Sequence, residues 1–179
     1  MSIFVDPQKA VEALDIYPGV KVADVGCGVG HYVFAVAEKM ENKGRIYAID
    51  IRKNVLDKVA SEAKEKGLTG LVEVIWGDAE AQGGTKLADG AVDAAVASNI
   101  FFQVDNKEDL ARELSRIIKE NGELLVVDWS NSFGGLGPPP DYIVSPEEIK
   151  EICQDFSLNF QGEYKTGSHH YELLFKKIV

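Results

Sequence analysis

Three glycines, Gly26, Gly28 and Gly30, fall within five positions of VADVGCGVGHY (residues 22–32), directly behind a short apolar run. Glycine weakens strands and helices, so such a cluster marks a backbone that must turn sharply or lie bare against a ligand. The spacing is GxGxG. It is neither the GxGxxG of dinucleotide turns nor the GxxxxGK[ST] of a phosphate loop, and no lysine follows to meet a phosphate. An acid, Asp24, stands two residues ahead of the first glycine. A carboxylate at the lip of the loop disfavours a pyrophosphate and suits a ligand with an ammonium group. Asp50 ends a second apolar run, IYAID, where it could accept both hydroxyls of a ribose. Asp78 follows a third run, and its carboxylate could accept from an exocyclic adenine amine, with the Ala79 amide alongside. The ligand described by these groups carries an ammonium, a ribose and an adenine, and no phosphate.

Those residues need a scaffold that brings strand ends together. Segments 21–25, 45–49, 72–76, 92–97 and 123–129 are short, rich in Val, Ile and Ala, and bounded by turn residues, as strands are. Helical patterns alternate with them. Residues 53–66 read as a helix closed by Gly67. Residues 107–119 follow Asn106 as a cap, with Leu110, Leu114, Ile117 and Ile118 on one face before Gly122 stops the run. SPEE at 145–148 is a cap, a first-turn proline and a capping-box glutamate, followed by Ile149, Ile152, Cys153 and Phe156 at helical spacing. The alternation predicts an α/β fold, a parallel sheet with helices on both faces. Segments 159–164 and 171–177 are joined by KTGSHH, too short for a crossover helix, so they must pair antiparallel. The glycine-rich stretch 80–91 has no clear helical pattern. No repeat or linker divides residues 1–179, which read as a single domain.

Bulk properties bound the function classes. With 45% apolar and 27% charged residues the chain reads as globular and water-soluble. Its apolar stretches are strand-sized, and Asp6 and Lys9 interrupt any signal peptide, so no membrane span and a cytoplasmic location are expected. A net charge of −10 argues against nucleic acid as a partner. The two cysteines, Cys27 and Cys153, sit in no metal-ligand spacing, so no metal is expected.

The ligand inferred above is S-adenosylmethionine, and the chain resembles the class I methyltransferases that use it. It is most similar to their small ubiquinone/menaquinone-type and type 11 domains, from about residue 6 to the end. VADVGCGVG resembles the first motif of that family, IYAIDI its ribose-binding acid, WGDAE its adenine segment and VDAAVASNIFF its fourth strand and substrate-side loop. IIKENGELLVVDW resembles its passage into the fifth strand. The resemblance implies a Rossmann-like seven-stranded sheet in the order 3-2-1-4-5-7-6, with strand 7 antiparallel. It also implies that Gly26 and Gly28 lie against the methionine portion and Ile51 against the adenine face. Cys27, Gly30, Ser98 and Asn99 complete the expected cofactor set. Many relatives carry histidine in the loop after the fourth strand. Here the stretch is Phe101-Phe102-Gln103, so no histidine base is expected there.

The expected activity is methyl transfer to a small-molecule or quinone-like acceptor, with a protein acceptor left open. Phe101, Phe102, Asp128, Trp129, Phe133, His169 and His170 are the expected acceptor pocket, and Asp128, His169 and His170 the candidate bases. A non-catalytic domain holding S-adenosylmethionine or its demethylated product would show the same motifs. A nicotinamide-dependent oxidoreductase shares the sheet and the ribose acid, but GxGxG and Asp24 count against it. SNSFGGLGPPPDYIVS (130–145) has neither period, and its glycines followed by prolines suit a lid over the acceptor.

Overall fold

Seven strands form one sheet in a computed structural model of the protein, which describes residues 5–165 and 167–178. They are β1 (Lys21–Val25), β2 (Arg45–Asp50), β3 (Val72–Trp76), β4 (Val92–Ser98), β5 (Ile118–Trp129), β6 (Leu158–Tyr164) and β7 (His170–Lys177). The order is β3-β2-β1-β4-β5-β7-β6. Strands β1 to β5 pair parallel, and β7 lies antiparallel between β5 and β6. This is the Rossmann-like arrangement expected from the sequence. Thr166, in the link between β6 and β7, lies outside the described residues.

The helices are α1 (Pro7–Ala10), α2 (His31–Lys39), α3 (Lys53–Glu65), α4 (Lys107–Ile117) and α5 (Pro146–Asp155). Alternation along the strands splits the core in two. Val22, Ala48, Val96 and Leu125 pack with α1, α2 and α3 on one face. Ala23, Ala95, Ala97 and Val126 pack with α4 and α5 on the other. The caps match their residue types: the Asn106 side chain accepts from the Asp109 amide at 2.9 Å and Ser145 from the Glu148 amide at 3.1 Å.

One boundary differs from the sequence reading. Helix α4 stops at Ile117, and β5 starts at once with Ile118, which turns to extended angles and pairs with Val92. Ile118 therefore buries itself as a strand residue rather than as the last turn of the helix. Gly122 does not stop the helix. A Cβ there would stand 2.6 Å from the Asp93 carbonyl oxygen, so glycine is required where β5 closes on β4 beside their register shift.

Residues 80–91 form turns, not a helix, and a buried glutamate on α4 holds them in place. The Glu113 carboxylate accepts from the Gly83 amide at 2.9 Å, the Thr85 amide at 3.1 Å and the Thr85 hydroxyl at 2.6 Å. The Arg116 guanidinium grips it through two bonds of 2.8 Å. Burial pushes the carboxyl pKa up, but these donors outweigh it and bring it down to about 2. Glu113→Ala should strand Arg116 and the two amides, and cost roughly 3 kcal/mol of stability as for other broken buried pairs. Urea unfolding of the variant checks this; a loss below about 1 kcal/mol would mean that water replaces the carboxylate.

Candidate active site

The carboxyl ends of β1, β2 and β4 meet at the glycine loop. The Gly26 and Cys27 amides both donate to the Ile49 carbonyl, at 2.8 and 3.0 Å, which draws the loop across the end of β2. Gly26 has φ +75°, and a Cβ there would come within 2.7 Å of the Ile100 side chain. Gly30 has φ +89° at the start of α2, where a Cβ would meet Val59 at 3.0 Å and Phe34 at 3.1 Å. Backbone angle and close approach both exclude a side chain. Cys27 is buried in the loop, and its thiol is pushed up by burial first and by nearby Asp24 and Asp50 next, which leaves it unreactive.

Two carboxylates flank the loop in contrasting states. Asp24 is 1% exposed, and neither oxygen reaches a hydrogen-bond partner among the described residues. Burial pushes its pKa up to about 7, against a weaker pull from the Val33 amide. A buried carboxylate without a partner is expensive unless a ligand supplies one. Asp50 is also buried, but fully partnered. It accepts from the Gly28 amide at 2.9 Å, the Arg52 amide at 2.9 Å and the Arg52 guanidinium through two bonds of 3.0 Å. Burial pushes its pKa up, yet these bonds leave it below the usual carboxylate range.

Two adjoining cavities open along these strand ends. The smaller, about 190 Å³, is lined by Asp50, Ile51, Asp78, Ala79 and Ile100 among others. Ile51 is exposed beside it, and its carbonyl accepts from the Trp76 indole at 2.8 Å. The larger cavity, about 490 Å³, is lined by Asp24, Cys27, Gly28, Ser98, Asn99, Tyr32, Trp129 and His170 among others. Gly26, Arg52 and Gln103 border both. Trp129 and His170 are partners across the β5–β7 ladder, with rings 4.1 Å apart. Burial first, then neighbouring His169, push the His170 pKa down to about 4, so the ring is neutral near pH 7. Among the described residues its buried Nδ1 has no hydrogen-bond partner.

Five residues expected in the acceptor pocket, Phe101, Phe102, Asp128, Phe133 and His169, lie outside the larger cavity. Phe101 is 0% exposed within the core of the α4–α5 face, and Phe102 packs on that same core. Asp128 precedes Trp129, so strand alternation turns it to that opposite face. There it accepts from the Trp129 amide at 2.8 Å, and burial pushes its pKa up to about 7 against the amides of Trp129, Phe102 and Phe101. It supports the loop after β4 and is no base in the cleft. Phe133 stays exposed and stacks on His169 at 4.6 Å, outside the larger cavity. His169 contacts Asn131 as well, which leaves His170 as the candidate base that faces the cleft.

Tyr32, Arg52 and Gln103 were not singled out from the sequence. Tyr32 closes the same motif that supplies the glycines, and Arg52 follows Asp50 by two positions. Gln103 stands in the stretch where histidine was missing, and its amide donates to the Asn99 carbonyl. Among the described residues, no group of three or more His, Cys, Asp or Glu side chains could hold a metal ion, and no helix is long and apolar enough to cross a membrane.

The chain is similar in sequence and fold to known proteins. A family profile described as a methyltransferase domain matches residues 16–175. Nocamycin O-methyltransferase of Saccharothrix syringae is 29% identical over 133 residues, 74% of this chain and 44% of that protein. The ubiquinone/menaquinone biosynthesis C-methyltransferase UbiE of Shewanella sediminis is 26% identical over 120 residues, 67% of this chain and 47% of that protein. The chain thus spans about half the length of these curated relatives. A SAM-dependent methyltransferase from Aquifex aeolicus superposes with a TM-score of 0.86 at 25% identity, over 97% of this chain and 90% of that one. The [4+2]-cyclase SpnF superposes at 0.83 with 20% identity, over 97% of this chain and 80% of that one, a likeness of fold.

The buried acids make stability depend on pH. Asp24 and Asp128 hold protons in the folded chain up to about pH 7, whereas the unfolded chain releases them near 3.8. Raising pH through that window therefore removes stability. His170 acts in the opposite sense, because the unfolded chain takes up a proton below 6.5 that the folded ring refuses until about 4. It offsets one of the two carboxylates. Asp24→Asn removes one falling contribution, so it should stabilise the chain more at about pH 7.5 than at about pH 4.5. Urea unfolding at both values measures the difference, and an equal effect at the two would show that Asp24 is ionised throughout.

Proposed function

The chain belongs to the methyltransferase-domain family, enzymes dependent on S-adenosylmethionine, and from that premise we propose that it methylates a small molecule held against Trp129 and His170. The observation that carries the reading is the unpartnered Asp24 carboxylate, buried beside a glycine loop where two cavities join. Asp24 would hold the cofactor ammonium, Asp50 the ribose hydroxyls, and Asp78 with Ala79 the adenine edge, between Ile51 and Ile100. Gly26, Cys27 and Gly28 would lie against the methionine portion, with Ser98 and Asn99 closing the floor.

Bound S-adenosylmethionine supplies a methyl group on a sulfonium, whose displacement needs no acid. What remains for the protein is to hold the acceptor atom in line behind that methyl and to keep water out. Positioning of this kind can supply about 7–11 kcal/mol of the acceleration in favourable cases. Tyr32, Trp129 and His170 wall the larger cavity and offer a flat, mostly apolar surface for an aromatic or similarly planar acceptor. The neutral His170 ring can accept a hydrogen bond from an acceptor hydroxyl or amine. With its pKa near 4 it is a weak base, suited to orienting the nucleophile rather than stripping it of a proton.

Residues 130–145 complete the site as a lid. Phe133 and Leu136 pair across Gly134 and Gly135, whose φ angles of 57° and 79° suit a two-residue turn. Gly137 lies against the Trp129 ring, where a Cβ would stand 2.9 Å away, and Phe133 rests on His169. The loop is thus seated on Trp129, which walls the larger cavity, and on His169 beside it, while Phe133 and Leu136 stay half exposed.

Two measurements test the reading. S-adenosylhomocysteine at a hundredfold excess over its dissociation constant should add about 2.7 kcal/mol of stability. That corresponds to a rise in melting temperature of roughly 5–11 °C, whereas NAD should give none. Equal stabilisation by NAD would reverse the cofactor assignment. Hydrogen exchange at residues 133–137 should slow when S-adenosylhomocysteine is added, and replacing Phe133 and Leu136 by serine should erase that slowing while leaving its affinity nearly intact. Unchanged exchange in both states would make the loop a plain connection.

A further inference from the structure

A carboxylate offers about four acceptor positions, two on each oxygen. On Asp50 the protein's own donors take all four. Oδ1 accepts from the Arg52 amide at 2.9 Å and Arg52 Nε at 3.0 Å, and Oδ2 from the Gly28 amide at 2.9 Å and Arg52 Nη2 at 3.0 Å. Two ribose hydroxyls need two of those places. The amides belong to the glycine loop and the strand end and cannot leave without moving backbone. The guanidinium can, because its side chain is 54% exposed while that of Asp50 is 3% exposed.

A second observation points the same way. Arg52 borders both cavities, and its Nη2 lies 3.8 Å from where a Gly28 Cβ would stand, so it lies across the glycine loop at the junction. A ligand that spans the adenine and methionine compartments must pass this point. Building on the cofactor reading above, we propose that Arg52 is a latch on the cofactor site: its bidentate pair with Asp50 occupies the ribose acceptors, and the cofactor enters by displacing it. The guanidinium is half exposed, so breaking the pair returns it to water, and the incoming ribose hydroxyls take over its places on the buried carboxylate. The latch thus lowers cofactor affinity slightly and sets a charge-dependent step on entry.

Removing the latch should tighten binding, the opposite of what loss of a structural or cofactor-holding arginine would do. Isothermal titration with S-adenosylhomocysteine, which has no net charge near neutral pH, provides the readout. Arg52→Met keeps the apolar stem and deletes the donors; its dissociation constant should fall about two- to fivefold, a small net effect because the ribose hydroxyls replace the exposed guanidinium on Asp50. Arg52→Lys, which keeps the charge without the fork, should fall between it and the native chain. Native affinity should rise as KCl goes from about 0.05 M to about 0.5 M, because salt weakens the pair, while Arg52→Met stays flat. Equal or weaker binding by Arg52→Met with an unchanged melting temperature overturns the latch. Should that variant fold poorly, the native chain decides alone, since affinity that is constant or falling with salt overturns it too. Absence of binding by every form would instead refute the cofactor reading, and the latch with it.

Discussion

Side-chain parity on the parallel strands is the constraint from which the site follows. Asp24 faces Ala48 and Val96 in register, and Val25 faces Ile49 and Ala97, so the ends of β1, β2 and β4 stand level. Successive residues point to opposite faces, and a slip of one position would turn a whole strand's set over. Asp24 shares parity with Val22, Asp50 with Ala48, Ser98 with Val96 and Trp129 with Val127, all members of one core face. The cleft is the polar rim of that face. Its acids hold their places because the valines and alanines beneath them are buried and cannot be exchanged for the other side.

The same parity separates two acids that look alike by burial. Asp24 and Asp128 are both 1% exposed, and burial raises both to about 7. The Asp128 carboxyl faces the backbone amides of Trp129, Phe102 and Phe101, with Oδ1 accepting from Trp129, and stiffens the loop that follows β4. Neither oxygen of Asp24 makes a hydrogen bond among the described residues, the Val33 amide pulls on it only weakly, and it lines the larger cavity. A raised pKa alone would nominate both as functional groups, and geometry keeps only one. Glu113 is a third case, sunk to a low pKa by donors, where it fixes the turns that run past Ala79.

Much of this was legible in the sequence because it rests on local rules. GxGxG behind an apolar run needs positive φ and close approach, and both can be inferred from glycine alone. Acids after apolar runs fall at strand ends by construction, and the two short segments after α5 could pair only antiparallel. Asp128 and Trp129 were both placed in the pocket, although alternation along 123–129 already forbids neighbours from sharing a face. Phe101 was placed in the pocket too and lies in the core, because the turn that leaves β4 has no period to say which side is inward. The Asp50–Arg52 pair was out of reach for a different reason: its geometry depends on a rotamer and on an amide donated from another strand-to-helix turn. Gly122 was misread because a glycine after a helical pattern looks like a stop signal, and only the closeness of Asp93 shows why a side chain is barred.

The position of β7 bears on the order in which the molecule assembles. It follows every other strand in the chain, yet it is the one that pairs with β5 and gives β6 a partner. Strands β1 to β4 and the glycine loop can dock through successive right-handed crossovers as each is synthesised. Trp129 gains His170 across the ladder only when β7 threads between two strands already made. The compartment for the nucleoside can therefore take shape on a growing chain before the wall against the acceptor exists, and until then β5 presents an unpaired apolar edge of the kind that nascent chains must keep from one another.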